Sequence, residues 1–234
     1  MLVKGLGALF RRKQVKNAIY SKITTPIKPL SMTNNNPDII LASSSTYRAE
    51  LLRRLQLPFS SISPDIDESP LQGETPPATA LRLARLKAEA IASSHAKRMP
   101  ALIIGSDQVA TLDKLQIGKP GNHENALRQL QLMRGREVIF HTALCLLDTR
   151  PHAARPIQIQ EVRTVVRFRD LCDAELDAYL RIEQPYDCAG SAKNEALGIT
   201  ILSSIESTDP TALTGLPLIA LTDMLRNAGI SFFN

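Results

Sequence analysis

Short apolar runs alternate along this chain with longer segments in which apolar residues recur every three to four positions. The runs predict strands, at residues 39–42, 59–63, 101–104, 137–148, 158–169 and 199–205. The longer segments predict helices, in the stretch after residue 46 and at residues 78–96, 122–132, 173–181 and 217–227. Strands and helices in alternation are typical of an α/β fold.

The run at residues 101–104 continues into Gly105-Ser106-Asp107-Gln108. This pattern predicts a buried strand that delivers the Asp107 carboxylate and the Gln108 amide to its exposed end, where α/β sheets hold small ligands. Ten residues after Gln108, the sequence Gly118-Lys119-Pro120 places a cation on a stiff turn. An acid, an amide and a lysine are groups that can bind and hydrolyse a phosphate ester.

A run of hydroxyl side chains, Ser43-Ser44-Ser45-Thr46-Tyr47-Arg48, follows the first predicted strand. The free N–H groups of a helix N-terminus and the Arg48 guanidinium favour phosphate binding there. The alternative is that the Ser/Thr run merely caps the helix and that Arg48 is solvated. The glycine-rich sequence patterns of P-loop and dinucleotide-binding proteins do not occur in the sequence.

Further charged residues lie in a long proline-rich loop and in the helix after it. Asp67-Glu68 in the loop and Asp107 are candidate ligands of a divalent cation, because Mg²⁺ needs few protein carboxylates when it also binds phosphates. Lys87 lies at the border of the apolar stripe of its helix, so it can bury its stem and aim its ammonium along the sheet edge. The alternatives are a solvated acidic turn for Asp67-Glu68, and surface salt bridges for Lys87 and Lys119.

A loop of small residues near the C-terminus, at residues 188–195, carries Lys193 and Glu195. A carboxylate such as Glu195 can accept hydrogen bonds from the ring N–H and amino donors of a purine-like base. The alternative is a plain solvated loop. The sequence therefore leaves a base-binding role for Glu195 open.

The formal net charge of +5 comes from the N-terminal segment. Residues 1–37 hold seven of the 28 Lys and Arg residues and none of the 23 acidic residues, so the rest of the chain has a net charge of −2. This distribution argues against nucleic acid as a partner of the folded part. The basic segment predicts either an organellar transit peptide or translated upstream sequence before Met32 as the natural start; we favour the second interpretation.

Cysteine and histidine spacing bears on the compartment and on metals. The three cysteines are widely spaced, which favours a reducing compartment and hence the cytoplasm. The four histidines form no zinc-binding pattern, so zinc is not expected. The sequence has no run of about 18 apolar residues, so no membrane-spanning helix is expected.

Seven short motifs occur in one order along the chain, and together they resemble the Maf family of nucleoside triphosphate pyrophosphatases over residues 38–229. Gln108, where sister groups usually have Thr, makes the chain similar to the branch that hydrolyses 7-methyl-GTP. Tyr47 departs from that branch, in which some members have tryptophan, although a tyrosine ring also stacks on a base. The motifs are Leu41-Ala42-Ser43-x-Ser45-x-x-Arg48, Asp67-Glu68, Lys87, Gly105-Ser106-Asp107-Gln108, Gly118-Lys119-Pro120, Ala189-Gly190-Ser191 and Gly215-Leu216-Pro217.

The resemblance implies a fold and a reaction. The fold is a two-lobed α/β domain over residues 38–234 with an elongated mixed central sheet, flanking helices and a nucleotide cleft between the lobes; residues 1–37 form an extension. The reaction is hydrolysis between the α and β phosphates, which yields a nucleoside monophosphate and pyrophosphate and needs Mg²⁺ or Mn²⁺. The enzyme is expected to be a homodimer that removes 7-methyl-GTP from the nucleotide pool.

The resemblance also assigns roles to residues at matching positions. Asp107 is the expected proton acceptor, and Glu68 joins it at the metal. The expected phosphate-binding residues are Ser43, Arg48, Lys87 and Lys119, and those expected to select the base are Tyr47, Gln108 and Glu195. Two alternative functions remain: a dTTP/UTP pyrophosphatase of the sister branch, and a non-catalytic nucleotide-binding regulator of cell division.

Overall fold

Strands and helices alternate through the residues that this computed structural model describes, 37–95 and 100–233. The expectations for the basic N-terminal segment, including Met32 as a start, lie outside the described residues. The strands are β1 (Asp38–Ala42), β2 (Ser60–Ile62), β3 (Ala101–Leu112), β4 (Leu115–Ile117), β5 (Glu137–Asp148), β6 (Ile157–Phe168) and β7 (Leu202–Ser207). The helices are α1 (Thr46–Arg53), α2 (Pro76–His95), α3 (His123–Met133), α4 (Asp173–Glu183) and α5 (Leu218–Asn227).

The strands form one mixed sheet, in the order β2-β1-β3-β5-β6-β7. β2, β1 and β3 run parallel to one another, whereas β5, β6 and β7 continue the sheet in antiparallel pairs. The short strand β4 pairs antiparallel with the second half of β3. The predicted α/β class with a mixed central sheet is confirmed. None of the helices in the described part of the chain has the length and apolar character needed to cross a bilayer.

The two neighbours on one edge of β3 leave a gap between them. β1 pairs with β3 as far as Gly105, and β4 begins to pair at Ala110. Residues 106–109 therefore have a strand neighbour only on the β5 side. The C-terminal ends of both β1 and β4 lie beside this gap, so the loops that follow them enter it.

The predicted end of the third strand was wrong. β3 does not stop at Asp107 but continues to Leu112, because Val109, Ala110 and Leu112 are buried and β5 pairs with the strand along this length. Asp107 is thus a mid-strand residue. It reaches the open edge of the sheet because the strands beside it end, and not because its own strand ends.

Two smaller differences concern the C-terminal third. The segment predicted as a strand at residues 199–205 begins with a 3-10 turn, Leu197–Ile201, and the strand follows it. The chain closes tightly on Lys193 there, since the N–H groups of Ala196 and Gly198 both donate to its carbonyl oxygen. Pro217 caps α5 and does not form its first turn, whereas Gly229 lies just past the helix as predicted.

Apolar clusters cover the two faces of the sheet differently. α2 packs its alanine stripe on one face, against residues such as Ile103 and Val109 of β3. On the opposite face, α1 and α5 cover the first half of β3, and α3 and α4 cover its second half. The gap at residues 106–109 lies between these two packed halves, which is the arrangement of a two-lobed domain.

Gly105 allows α2 to approach β3 unusually closely. A Cβ atom at this position would lie 2.1 Å from the Ala84 carbonyl oxygen and 3.0 Å from the Ala88 backbone nitrogen. Both contacts are to helix backbone, which cannot move aside as a flexible side chain does. The absence of a side chain at Gly105 therefore sets the height of α2 above the sheet, and with it the position of Lys87 on that helix.

We expect Gly105→Ala to lower the free energy of unfolding by about 1–3 kcal/mol, because the added methyl group forces α2 away from the sheet. Urea unfolding followed by circular dichroism would measure this change. Gly118→Ala is a suitable control, because nothing lies within 4 Å of a Cβ atom at that position. Equal stability of the two variants would show that α2 does not depend on this contact.

Candidate active site

A cleft of about 670 Å³ opens at the gap beside β3. Its walls come from the loop after β1, the turn after β4, the loop before the 3-10 turn Leu197–Ile201, and residues of α2 and β3. Nine side chains that the sequence singled out line this one cleft. They are Ser43, Tyr47, Arg48, Glu68, Lys87, Asp107, Gln108, Lys119 and Glu195.

The Lys87 ammonium is a buried charge at the cleft. Its Nζ lies 2.7 Å from Asp107 Oδ1 and 2.8 Å from Glu68 Oε1, and its side chain is only 6% exposed. A buried ammonium needs such partners, because removing it from water without them costs several kcal/mol. The predicted burial of the Lys87 stem is confirmed, and its alternative as a surface salt bridge is wrong.

The two carboxylates around Lys87 differ in their surroundings. Burial raises the pKa of Asp107 above its usual range, although the nearby Lys87 and Arg48 cations oppose this shift. Glu68 is partly withdrawn from water, which alone would raise its pKa, but hydrogen bonding and attraction to Lys87 lower it overall. Asp107 is therefore the better proton acceptor of the pair, and Glu68 is the more firmly ionised.

A clasp on α2 holds the loop that carries Glu68. Arg82 donates two hydrogen bonds to the Glu74 carboxylate, at 2.7 and 2.8 Å, and a third to the Ser69 carbonyl oxygen at 3.1 Å. The hydrogen bonds from Arg82 to the Glu74 carboxylate lower the pKa of Glu74 to about 2. Asp67, the other acid of the predicted pair, is exposed and accepts from the Ser69 N–H, so Glu68 alone of the two reaches the cleft.

The loop after β1 brings Arg48 and Ser43 together. Ser45 caps α1 by accepting from the Arg48 N–H at 3.4 Å, so the capping interpretation of the Ser/Thr run is correct for this residue. Arg48 is not free in solvent, because its Nε donates to the Gly215 carbonyl oxygen at 2.9 Å and its Nη1 to Ser43 Oγ at 3.4 Å. The guanidinium is thus held at the cleft wall beside a hydroxyl group.

The loop between β7 and α5 provides that anchor for Arg48. Gly215 adopts a φ of +107°, which favours glycine, and its carbonyl oxygen lies 2.9 Å from Ser106 Oγ, which shares its one hydrogen between this oxygen and the Ala143 carbonyl oxygen. The loop is braced internally by Asp209, whose carboxylate accepts from the Thr211 hydroxyl and from the N–H of Ile219 in the first turn of α5. Asp209 is 2% exposed, so this brace is part of the core.

Gln108 is held by the same loop. Its Nε2 lies 3.1 and 3.0 Å from the carbonyl oxygens of Ala212 and Leu213 and 2.9 Å from Thr142 Oγ1, so two N–H groups are shared among three acceptors. Its Oε1 accepts no hydrogen bond from a residue in the described ranges. Gln108 therefore presents a carbonyl oxygen to the cleft, and its amino group belongs to the scaffold.

One rim of the cleft combines an aromatic ring with charges. The Lys193 ammonium lies 5.6 Å from the centroid of the Tyr47 ring and 3.2 Å from Glu183 Oε1, and the Tyr47 hydroxyl donates to Asp187 Oδ2 at 3.4 Å. Burial and the neighbouring Cys188 raise the pKa of Tyr47 to about 12, so the hydroxyl stays protonated.

Glu195 completes this rim. The side chain is exposed at the cleft mouth, yet the protein wall on one side removes enough water to raise its pKa, and the Lys193 cation opposes the shift. Tyr47 and Glu195 thus border the same region, as an aromatic ring and a carboxylate would if they selected a base.

Lys119 is exposed on the turn after β4 and forms no ion pair with any residue that the structure describes. Gln129 of α3 steadies this turn by donating to the Gly118 carbonyl oxygen at 3.1 Å, and its Oε1 accepts from Ser191 Oγ at 3.1 Å. The turn that carries Lys119 and the 3-10 turn Ala189–Ser191 are therefore joined through one side chain.

The donor set suits a divalent cation of the magnesium type. Lys87 bonds one oxygen of Asp107 and one of Glu68, which leaves a second oxygen on each carboxylate. Hard oxygen donors in this number fit Mg²⁺ or Mn²⁺, which usually complete their shell with waters and substrate phosphates. Within the described residues, no three His, Cys, Asp or Glu side chains cluster as an all-protein metal site.

Sequence reasoning did not single out several residues that shape the cleft. Thr142 and Asp209 carry no motif, since a lone Thr in a strand and a lone Asp in a loop have many roles. The Arg82–Glu74 clasp bridges eight positions across a loop, so no helical spacing reveals it. Gln129 follows no pattern that differs from an ordinary surface glutamine.

Known proteins resemble this chain along most of its length. Residues 38–228 match the family model described as Maf-like protein. A protein of Cupriavidus metallidurans named 7-methyl-GTP pyrophosphatase is 65% identical over 201 residues, covering 86% of this chain and 98% of that protein. A protein of the same name from Burkholderia thailandensis is 64% identical over 198 residues, covering 85% of this chain and 91% of that protein.

Among solved structures, similarity is much weaker. A nucleoside-triphosphatase described as a dITP/XTP pyrophosphatase, from Mycobacterium abscessus, shares 18% identity at a TM-score of 0.37, over 57% of this chain and 75% of that one. A likeness at that level supports no conclusion about this protein. The family match over residues 38–228 and the high identity of the two relatives are sufficient evidence. The chain belongs to the family of Maf-like proteins.

Proposed function

We propose that this protein hydrolyses 7-methyl-GTP to 7-methyl-GMP and pyrophosphate. The observation that carries the proposal is the buried Asp107–Lys87 pair at the open edge of β3, in a cleft that also holds Arg48 and Lys119. The two relatives that carry this name align over more than nine-tenths of their own length, which supports the same activity here.

The cationic side of the cleft suits a triphosphate. Arg48 is fixed by Gly215 and Ser43, so its guanidinium can bind phosphate oxygens without first being ordered. Lys119 supplies a second cation from an exposed turn, and Lys87 a third from the cleft floor. Arg48 and Lys119 supply the net attraction for the triphosphate, because Asp107 and Glu68 already balance the charge of Lys87.

Asp107 is the proposed proton acceptor for water. The water oxygen forms a bond to the α phosphorus, the bond from that phosphorus to the bridging oxygen breaks, and pyrophosphate leaves with the electron pair. Asp107 takes the proton of the water, which its raised pKa favours. Glu68 and Asp107 would hold Mg²⁺ or Mn²⁺, which when bound supplies positive charge against the phosphates.

Tyr47, Glu195 and Gln108 are proposed to select the base. A 7-methylguanine carries a positive charge, so the Tyr47 ring and the Glu195 carboxylate both attract it. Gln108 offers a hydrogen-bond acceptor through Oε1, which suits the N–H donors on the edge of guanine. The proposal gives these three residues the base-selecting role expected from the sequence, with Gln108 acting as an acceptor.

The cellular setting is also part of the proposal. The enzyme would act in the cytoplasm as a homodimer and clear modified nucleotides from the pool, and the folded part would not need nucleic acid or a membrane. The domain would comprise residues 38–234.

A hydrolysis panel tests the proposed function. Purified protein would be given 7-methyl-GTP, GTP, UTP and dTTP with Mg²⁺ or Mn²⁺, and pyrophosphate would be measured separately from phosphate. We expect pyrophosphate from 7-methyl-GTP well above the other three, because the cleft combines an aromatic ring with carboxylates. Preference for UTP or dTTP would favour the sister branch, and tight binding without turnover would favour a regulator.

We expect Asp107→Asn to lower kcat for 7-methyl-GTP by about 10²–10⁴-fold, because the amide cannot take a proton from water. Initial rates of pyrophosphate release would measure this, with thermal unfolding as a check on the fold. Asp67→Asn is the matched control: it lies next to Glu68, faces away from the cleft and should keep the wild-type rate. A kcat of Asp107→Asn close to that of the control would remove Asp107 from the reaction.

A further inference from the structure

Three acceptors surround the amide nitrogen of Gln108, and they belong to two parts of the fold. Ala212 and Leu213 lie in the loop between β7 and α5, whereas Thr142 lies on β5, directly opposite Gln108 in the strand register. Thr142 is fully buried, and its hydroxyl both accepts from Gln108 and donates to the Ala212 carbonyl oxygen at 3.0 Å. Thr142 therefore joins both the Gln108 amide and the loop to β5.

The chemistry of these partners fixes the orientation of the amide. Carbonyl oxygens accept hydrogen bonds and cannot donate them, so the amino group of Gln108 must face Ala212 and Leu213. Its Oε1 is then the polar atom that Gln108 offers to the cleft, which it lines. An acceptor that faces ring position N1 favours guanine and 7-methylguanine, which carry an N1–H donor, over adenine, whose N1 is itself an acceptor.

We propose that Thr142 is a positioning residue for base selection, which holds the Gln108 amide so that Oε1 faces the base. The proposal rests on the proposed function for the identity of the base and deepens it by adding a residue that does not line the cleft. Without the Thr142 hydroxyl, the amide keeps its bonds to the loop, but the loop and the amide lose their common attachment to β5. The position of the Gln108 Oε1 atom relative to the bound base is then no longer fixed by β5.

Equilibrium binding of the reaction product, 7-methyl-GMP, and of AMP tests this inference without turnover. Titration calorimetry on the full chain would give the Kd of each. For Thr142→Val, which keeps the shape and removes the hydroxyl, we expect Kd for 7-methyl-GMP to rise about tenfold, as the loss of one hydrogen bond implies. Kd for AMP should change less, so the ratio of Kd for AMP to Kd for 7-methyl-GMP should fall. Thr142→Ser keeps the hydroxyl and should restore the wild-type ratio.

A matched variant separates positioning from a general loss of stability. Thr111 is also a buried threonine of the sheet, and its hydroxyl donates to the Ile139 carbonyl oxygen away from the cleft. Thr111→Val should lower the melting temperature to a similar degree and leave the ratio of the two Kd values unchanged. If both valine variants shift the ratio equally, the inference is overturned, because any loss of stability would then produce the effect.

A double-mutant cycle with Gln108→Met gives the decisive result, because it asks whether Thr142 acts through Gln108. We expect Thr142→Val to change Kd for 7-methyl-GMP by less than about twofold once Gln108 is replaced. Independent, multiplicative effects of the two substitutions would overturn the inference, as would a failure of the wild type to bind 7-methyl-GMP more tightly than AMP. Binding without hydrolysis would instead count against the proposed function alone.

Discussion

The buried Lys87 ammonium constrains the whole site. A charge that is 6% exposed must be paired, so the strand with Asp107, the loop with Glu68 and the helix α2 are held at fixed distances from one another. Removing one partner of a buried pair typically costs about 3–5 kcal/mol, a large part of the stability of one domain. Gly105 makes the arrangement possible, since a side chain there would meet the backbone of α2. The Arg82–Glu74 clasp completes it by holding the loop that carries Glu68 against the same helix.

The cleft lies at the open edge of β3, beside the paired Lys87 ammonium. β1 and β4 leave residues 106–109 without a strand on one side, so the two faces of the sheet meet at the gap. Asp107 is paired with Lys87 of α2, which covers one face, and Ser106 and Gln108 bond the loop between β7 and α5, which lies on the opposite face. A ligand in the gap can therefore contact acidic and cationic groups from one face and a rigid acceptor from the other. In the proposed mechanism, phosphate chemistry and base selection would therefore use alternate residues of a single strand.

The sequence predicted most of this site, and the reasons for its failures are physical. The place of Lys87 at the border of an apolar stripe was enough to predict its burial, because the stripe is a local property of the helix. The end of β3 could not be found in the same way, because the accessibility of Asp107 depends on where β1 and β4 stop. Glu68 and Asp67 look equivalent in sequence, and only the turn at Ser69 separates them. The motif residue Gln108 was found, but its orientation depends on Thr142 and a loop about 100 positions away, which no local pattern records.

A crystal structure of the Asp107→Asn variant with 7-methyl-GTP and Mg²⁺ would show whether one strand edge serves both phosphate binding and base selection. We expect the triphosphate beside Lys87, Arg48 and Lys119, with the α phosphorus facing residue 107. We expect the base against Tyr47 and Glu195, within hydrogen-bonding distance of Gln108 Oε1. A nucleotide bound in the reverse direction, or outside the gap between β1 and β4, would show that the strand edge does not have this double role.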